Sequence, residues 1–172
     1  MQGLAREEFR FLRPDFLPMG RRDIRYQAAI VRHDRLLLVR WEPFSWPAVW
    51  LVPGGGREAE SEEECVVREV REETGLEVTV DRFLFEQDAR DEQTPYQRLK
   101  TYLVDAPHGE PHPGEEPEPG AQGRITAVEW FDLQVAEATS VEVTCTPFTS
   151  NSIALIREAL GYGGGRGDPT ES

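Results

Sequence analysis

The chain has 172 residues, among them 32 Asp and Glu against 19 Lys and Arg, for a formal net charge of −13. That length suits one domain with short extensions, and the negative field repels phosphate backbones and anionic lipid, which argues against a nucleic-acid or membrane partner. With 38% hydrophobic residues a core can form, but no run nears the ~20 apolar residues of a membrane span and the first residues lack the apolar stretch of a signal peptide, so a soluble cytoplasmic protein is expected.

Residues 1–23 mix Arg, Glu and aromatics around Pro14 and Pro18 and read as an irregular arm. Residues 24–160 read as the folded domain. From Ile24, IRYQAAIV and then LLLV suggest two strands around a tight polar turn at His33 and Asp34. The unbroken apolar run Leu36 to Val39 predicts burial on both faces. EPFSWPAVW reads as a loop, and Trp41, Phe44, Trp46 and Trp50, in or beside it, either pack into the core or line a pocket for a planar ring. Pro53, Gly54, Gly55 and Gly56 then form a glycine turn.

A helix is predicted from near Ser61 to Gly75. Ser61 and Glu64 have the spacing of a capping box, and Val66, Val67 and Val70 share one side. EVTVDRFLFEQDA and QRLKTYLVD have strand character. APHGEPHPGEEPEPGAQG is too rich in Pro, Gly and Glu to pack and reads as a long exposed loop. ITAVEWFDL resumes as a strand, a second helix is expected over Ser152 to Leu160, and residues 161–172 form a flexible tail. This order predicts an α/β (α+β) protein with a mixed sheet and helices packed on it. Cys65 and Cys145 lack any CxxC or Cys/His cluster and are expected to be buried free thiols.

Glu69, Glu72 and Glu73 fall at i, i+3 and i+4, which brings three carboxylates to one helix face. Hard oxygen donors at this density suit Mg²⁺ or Mn²⁺. A charged surface helix is the plainer account, since acids in a first turn complement the helix dipole, and Glu64 with Arg68 and Arg68 with Glu72 are ordinary i, i+4 pairs. His33, His108 and His112 read as solvated. Arg21, Arg22 and Arg25 read as a solvated basic patch, with reach to a substrate phosphate or a partner subunit as the alternative.

Gly54, Glu60, Arg68, Glu69, Val70, Glu72, Glu73, Gly75 and Leu76 together resemble the Nudix box: Gly, five residues, Glu, seven residues, then Arg-Glu-aliphatic-x-Glu-Glu-x-Gly-aliphatic. The resemblance implies an αβα sandwich with a mixed β-sheet and cleavage of a nucleoside diphosphate derivative at its pyrophosphate by a metal-activated water. Candidate substrates are a nucleotide sugar, ADP-ribose, a nucleoside triphosphate or a dinucleoside polyphosphate. It further implies that Glu69, Glu72 and Glu73, with the carbonyl of Gly54, hold Mg²⁺ (or Mn²⁺), while Glu60 and Arg68 pair and fix the loop against the helix.

Compared with the family pattern, the stretch from Pro53 to Glu60 is one residue shorter, which leaves Gly54 and Gly55 both as candidates for the ligand carbonyl. Arg124 and Ile125 occupy the region before Trp130 where many members carry another acid, and Glu115, Glu116 and Glu118 are the candidates to replace it. Pro95 and Tyr96 lie near, but not at, positions that separate subfamilies. The oligomeric state is open, with a homodimer as one option. The competing reading is a catalytically idle Nudix-like domain that binds a nucleotide or regulates a partner.

Overall fold

The computed structural model describes residues 23–44, 47–89, 96–115, 122–135 and 147–162. Most of the predicted arm and tail, together with Arg21, Arg22, Trp46, Pro95, Glu116, Glu118 and Cys145, lies outside the described residues.

Ile24–Arg32 (β1) and Arg35–Pro43 (β2) are joined by the predicted two-residue turn. His33 and Asp34 both take positive φ, 49° and 60°, the turn geometry whose twist suits a hairpin. Asp34 is held there by the Gln134 amide at 2.8 Å and the Tyr162 hydroxyl at 2.7 Å. The two strands pair only at Val31 with Leu36 and Arg32 with Arg35, then separate. β1 continues antiparallel to Gly54–Gly56 (β4) and parallel to Arg98–Asp105 (β6), with Thr79–Asp88 (β5) antiparallel to β6 at the edge. β2 continues between Val49–Leu51 (β3) and Gly123–Asp132 (β7). The result is a mixed seven-stranded sheet.

Because successive strand residues face opposite sides, β1 supplies two cores. Tyr26, Ala28 and Ile30 pack with Tyr102 and Val104 against Cys65, Val66 and Val70 of Glu62–Thr74 (α1). Ala29 packs with Leu36, Leu38 and Trp50 against Ile153 and Ile156 of Pro147–Ala159 (α2). Val66 and Val70 are fully buried, each contributing about 1.5–3 kcal/mol. The predicted helix–sheet–helix sandwich is therefore present, and Leu36 to Val39 are buried on both faces as expected.

Three local readings change. Part of the Trp-containing loop is the strand β3, and Trp50 meets Phe131 edge-on at 5.1 Å, so it belongs to the core. The glycine turn is the strand β4, laid on β1. The second helix begins at Pro147 rather than Ser152. Proline fits a first turn, whose amides have no helical partner, and buried Thr149 and Ser152 carry this end of the helix without the apolar periodicity that marks its second half.

The Pro-rich loop is exposed over most of residues 106–115 but is tied down. The Arg32 guanidinium donates to the carbonyls of Ala106, His108 and Gly109 at 2.6, 2.7 and 2.7 Å. His112 and Gly114 donate their amides to Thr74 O and Glu73 O, both at 3.0 Å, filling carbonyls that a helix end leaves unpaired.

Candidate active site

The position of the acidic face is set by the two ends of α1. Ser61 caps the start, its hydroxyl accepting from the Glu64 amide at 3.2 Å while the Glu64 carboxylate accepts from the Ser61 amide at 2.9 Å. Gly75 stops the helix in the left-handed region, φ 71°, with its amide on Arg71 O. Between them, Glu69, Glu72 and Glu73 occupy the last turns.

Facing these acids is β4. A Cβ on Gly55 would lie 2.3 Å from the Glu69 carboxylate, so only a strand without side chains lets Glu69 approach its backbone. The Gly54 amide donates to Glu73 Oε2 at 2.9 Å. The Cys65 thiol lies 4.0 Å from Gly55 O and Arg68 Nη2 donates to Gly56 O at 3.1 Å. Of the three glycine carbonyls, only that of Gly54 receives no side-chain donor among the described residues.

Arg68 gathers the acids. Its Nε reaches both Glu60 oxygens at 3.1 and 3.0 Å, its Nη2 donates to Glu60 Oε1 at 2.7 Å, and its Nη1 donates to Glu69 and Glu72, each at 3.0 Å. The pairing of Glu60 with Arg68 and the fastening of the loop are thus present, and Arg68 also touches two of the three face acids directly. Glu64 is taken by the cap instead of pairing with Arg68.

One guanidinium thus serves three carboxylates. The hydrogen bonds from Arg68 hold Glu60 below the usual carboxylate range. Burial pushes Glu69 above it, against the opposing charges of Arg68 and Arg25. Burial also drives the Cys65 thiol up to about 12, which makes it an inert core residue.

At the other end of α1 lies a cluster that the sequence did not reveal. Glu62 accepts from Lys100 Nζ at 2.7 Å, from the Tyr102 hydroxyl, and from the Tyr26 hydroxyl at 3.5 Å. Burial works against its charge, but the bonds from Lys100 and Tyr102 prevail and hold it below the usual carboxylate range. Arg57 and Lys100 lie over the Tyr26 ring at 5.8 and 5.9 Å. Alternation along β1 and β6 could have placed Tyr26, Lys100 and Tyr102 on one sheet face, but nothing local to Glu62 pointed to them.

The remaining candidates disperse. Phe44 is 73% exposed and Trp41 half-buried. His108 is exposed, while the His112 ring lies against Gly75. Glu115 follows Gly114, so the chain there runs beside the end of α1 with the Glu115 side chain exposed. Arg124 reaches Glu42 at 3.8 Å. Arg25 is 8% exposed, so the solvated-patch reading is wrong for it. Among the described residues, no three His, Cys, Asp or Glu side chains converge closely enough to enclose an ion, and no helix is long and apolar enough to cross a membrane.

The family model for the NUDIX domain matches residues 24–148. The chain belongs to the Nudix family. As a Nudix protein it is a hydrolase acting on pyrophosphate bonds. A MutT Nudix hydrolase from Burkholderia pseudomallei is 27% identical, with TM-score 0.57 over 78% of this chain and 97% of that one. Two further solved structures share the Nudix fold. An ADP-ribose pyrophosphatase from Streptococcus suis 89-1591 has TM-score 0.60 at 24% identity over 80% of this chain and 90% of its own. A UDP-X diphosphatase has TM-score 0.61 at 20% identity over 90% of this chain and 70% of its own. No curated protein matches. In Nudix terms, the box begins on β4, Glu60 precedes α1, and Glu69, Glu72 and Glu73 lie on α1.

Proposed function

We propose that this Nudix protein is a Mg²⁺-dependent (or Mn²⁺-dependent) pyrophosphohydrolase that splits the diphosphate linkage of a small nucleoside diphosphate derivative in the cytoplasm. The observation that carries this reading is the gathering of Glu60, Glu69 and Glu72 around the single guanidinium of Arg68, with Glu73 on the Gly54 amide, against a strand that carries no side chains. Burial favours the neutral form of Glu69 despite Arg68 beside it, and a cation bound at the site would favour its carboxylate.

The donor chemistry fits a hard divalent ion: carboxylates of Glu69, Glu72 and Glu73, with Gly54 as the preferred backbone ligand because Gly55 O and Gly56 O already receive the Cys65 thiol and Arg68. A bound ion there neutralises charge on the diphosphate and lowers the pKa of a water. Glu60 and Arg68 act by position, since Arg68 ties the loop carbonyl of Gly56 to the acids of α1. In the reaction the water oxygen bonds to one phosphorus, the bridging P–O bond breaks, and the water's proton leaves to a base.

The folded unit of the proposal is residues 24–160. ADP-ribose and UDP-linked compounds head the substrate candidates, because solved relatives of the same fold are named for them. The competing reading, an idle nucleotide-binding domain, is favoured by the turning of Glu69 and Glu72 toward Arg68 instead of toward a common centre.

The test is phosphate release, coupled to pyrophosphatase or phosphatase, from ADP-ribose, UDP-sugars, nucleoside triphosphates and dinucleoside polyphosphates, with Mg²⁺, with Mn²⁺ and with chelator. Metal-dependent release from one compound class is expected. Silence across the panel, in protein that binds Mg²⁺, selects the idle domain.

A further inference from the structure

Glu72 and Glu73 stand just before Thr74, where α1 ends. Helix ends fray because their last carbonyls lack helical donors, and a carboxylate on a fraying turn has no fixed place. Here two of those carbonyls are filled by residues far along the chain. His112 donates its amide to Thr74 O and Gly114 donates to Glu73 O, both at 3.0 Å. Glu73 is thereby held twice, its backbone by Gly114 and its side chain by the Gly54 amide at 2.9 Å. The fit is close. A Cβ on Gly114 would collide with Glu72 O, and one on Gly109 would stand 3.3 Å from Leu76 Cδ2, so residues 106–114 lie as a strap directly on the end of the helix.

This strap cannot hold itself there, since Ala106 is its one buried residue. Its attachment comes from β1. Arg32 donates from Nε to Ala106 O at 2.6 Å, and from Nη1 and Nη2 to Gly109 O and His108 O, each at 2.7 Å. The guanidinium is backed from β7 by the Trp130 ring, 5.4 Å from its centre. All three nitrogens are thus spent on the carbonyls of one loop. Carbonyls spread over four residues match a planar fork of charged donors and do not match the point charge of an ammonium.

We propose that Arg32 is a positioning residue for the metal-binding acids: it fixes the strap, and the strap amides fix the last turn of α1 with the carboxylates of Glu72 and Glu73. This inference rests on the hydrolase reading above and adds to it a residue outside the box. The amides also act on charge. Donors seated on the carbonyls of Glu73 and Thr74 offset the negative end of the helix dipole, which otherwise opposes carboxylates in that turn.

The experiment uses the full chain, metal-free for hydrogen exchange and with Mn²⁺ alone for titration calorimetry, beside steady-state kinetics on the substrate found in the panel. In Arg32→Gln and in Gly114→Ala, exchange is expected to quicken at the amides of residues 72–75, while residues 65–68 near the start of α1 keep wild-type rates. Mn²⁺ affinity is expected to fall about 10-fold, and the rate at low Mn²⁺ with it. Arg32→Lys keeps the charge over Trp130 but not the fork, so it is expected to follow Arg32→Gln and serves where that variant fails to fold. Wild-type Mn²⁺ affinity in all three variants overturns the inference, whatever the exchange, and leaves the hydrolase reading standing. Exchange that quickens along the whole of α1 also overturns it, making Arg32 a support of the fold at large. Wild-type protein that neither binds Mn²⁺ nor hydrolyses any compound in the panel defeats the hydrolase reading, and this inference with it.

Discussion

The two ends of α1 are both acidic, yet they are opposite in electrostatic character. Glu62, Glu63 and Glu64 stand in the first turn, where the helix dipole favours negative charge. There Glu64 closes the cap, and Glu62 is held by Lys100, Tyr102 and Tyr26. Glu69, Glu72 and Glu73 stand toward the other end, where the same dipole opposes them; Glu69 and Glu72 share Arg68 with Glu60, and Glu73 holds the Gly54 amide. The density of glutamate in the sequence does not separate these groups. What separates them is compensation: Glu62 and Glu64 each have donors of their own, whereas Glu69 and Glu72 divide one guanidinium with Glu60.

The largest effect expected from this contrast comes from neutralising one acid at each end. Glu72→Gln or Glu73→Gln should cut turnover about 100-fold or more with circular dichroism unchanged. Glu62→Gln should leave kcat within a few-fold but lower Tm, since Lys100 and Tyr102 lose a charged acceptor worth about 1–3 kcal/mol. Equal losses of activity at both ends would break the distinction. Arg68→Ala comes next: freeing partly buried carboxylates should cost about 3 kcal/mol and on the order of 10 °C in Tm, with a fall in rate as the loop loosens. A fall in rate at constant Tm would place Arg68 against the substrate.

The smallest effect sharpens the contrast within the site. Glu69 is held above the usual carboxylate range, so its ionisation costs stability that is lost as pH rises through that raised value. Metal-free Glu69→Gln should therefore melt a few degrees higher at neutral pH. Glu60 is held below the usual range, so its contribution is present above that range and is lost as pH falls through the depressed value. Urea unfolding against pH should show Glu60→Gln flattening the acid side of the stability profile and Glu69→Gln the side above it.

Features set by neighbours in sequence were legible before the structure. The capping box, the Gly75 stop, the turn at His33 and Asp34, and the alternating strands all depend on local rules, and each stands where it was read. The pairing of Glu60 with Arg68 was implied by the family resemblance and is present. Features made by partners distant in sequence were not legible. The three glycines read as a turn because such residues usually punctuate chains, whereas here β1 supplies a ladder for them and Glu69 needs the space. Residues 106–115 read as loose because their composition cannot form a core, yet Arg32 and the end of α1 bind them through their backbone, which composition does not report. Arg25 read as solvated because charge suggests exposure, and only the sheet shows that β4 and Tyr96 enclose it.

Cys65 sits beneath the site, fully buried between the glycine strand and Arg68. Its thiol is kept both protonated and inaccessible while α1 stays docked. In a chain whose Cys145 has been replaced, the rate of alkylation at Cys65 would count how often that helix lifts from the sheet. The protein thus carries a clock for local opening beneath the proposed site, and occupancy of that site can be read as a slowing of the clock, with no turnover required.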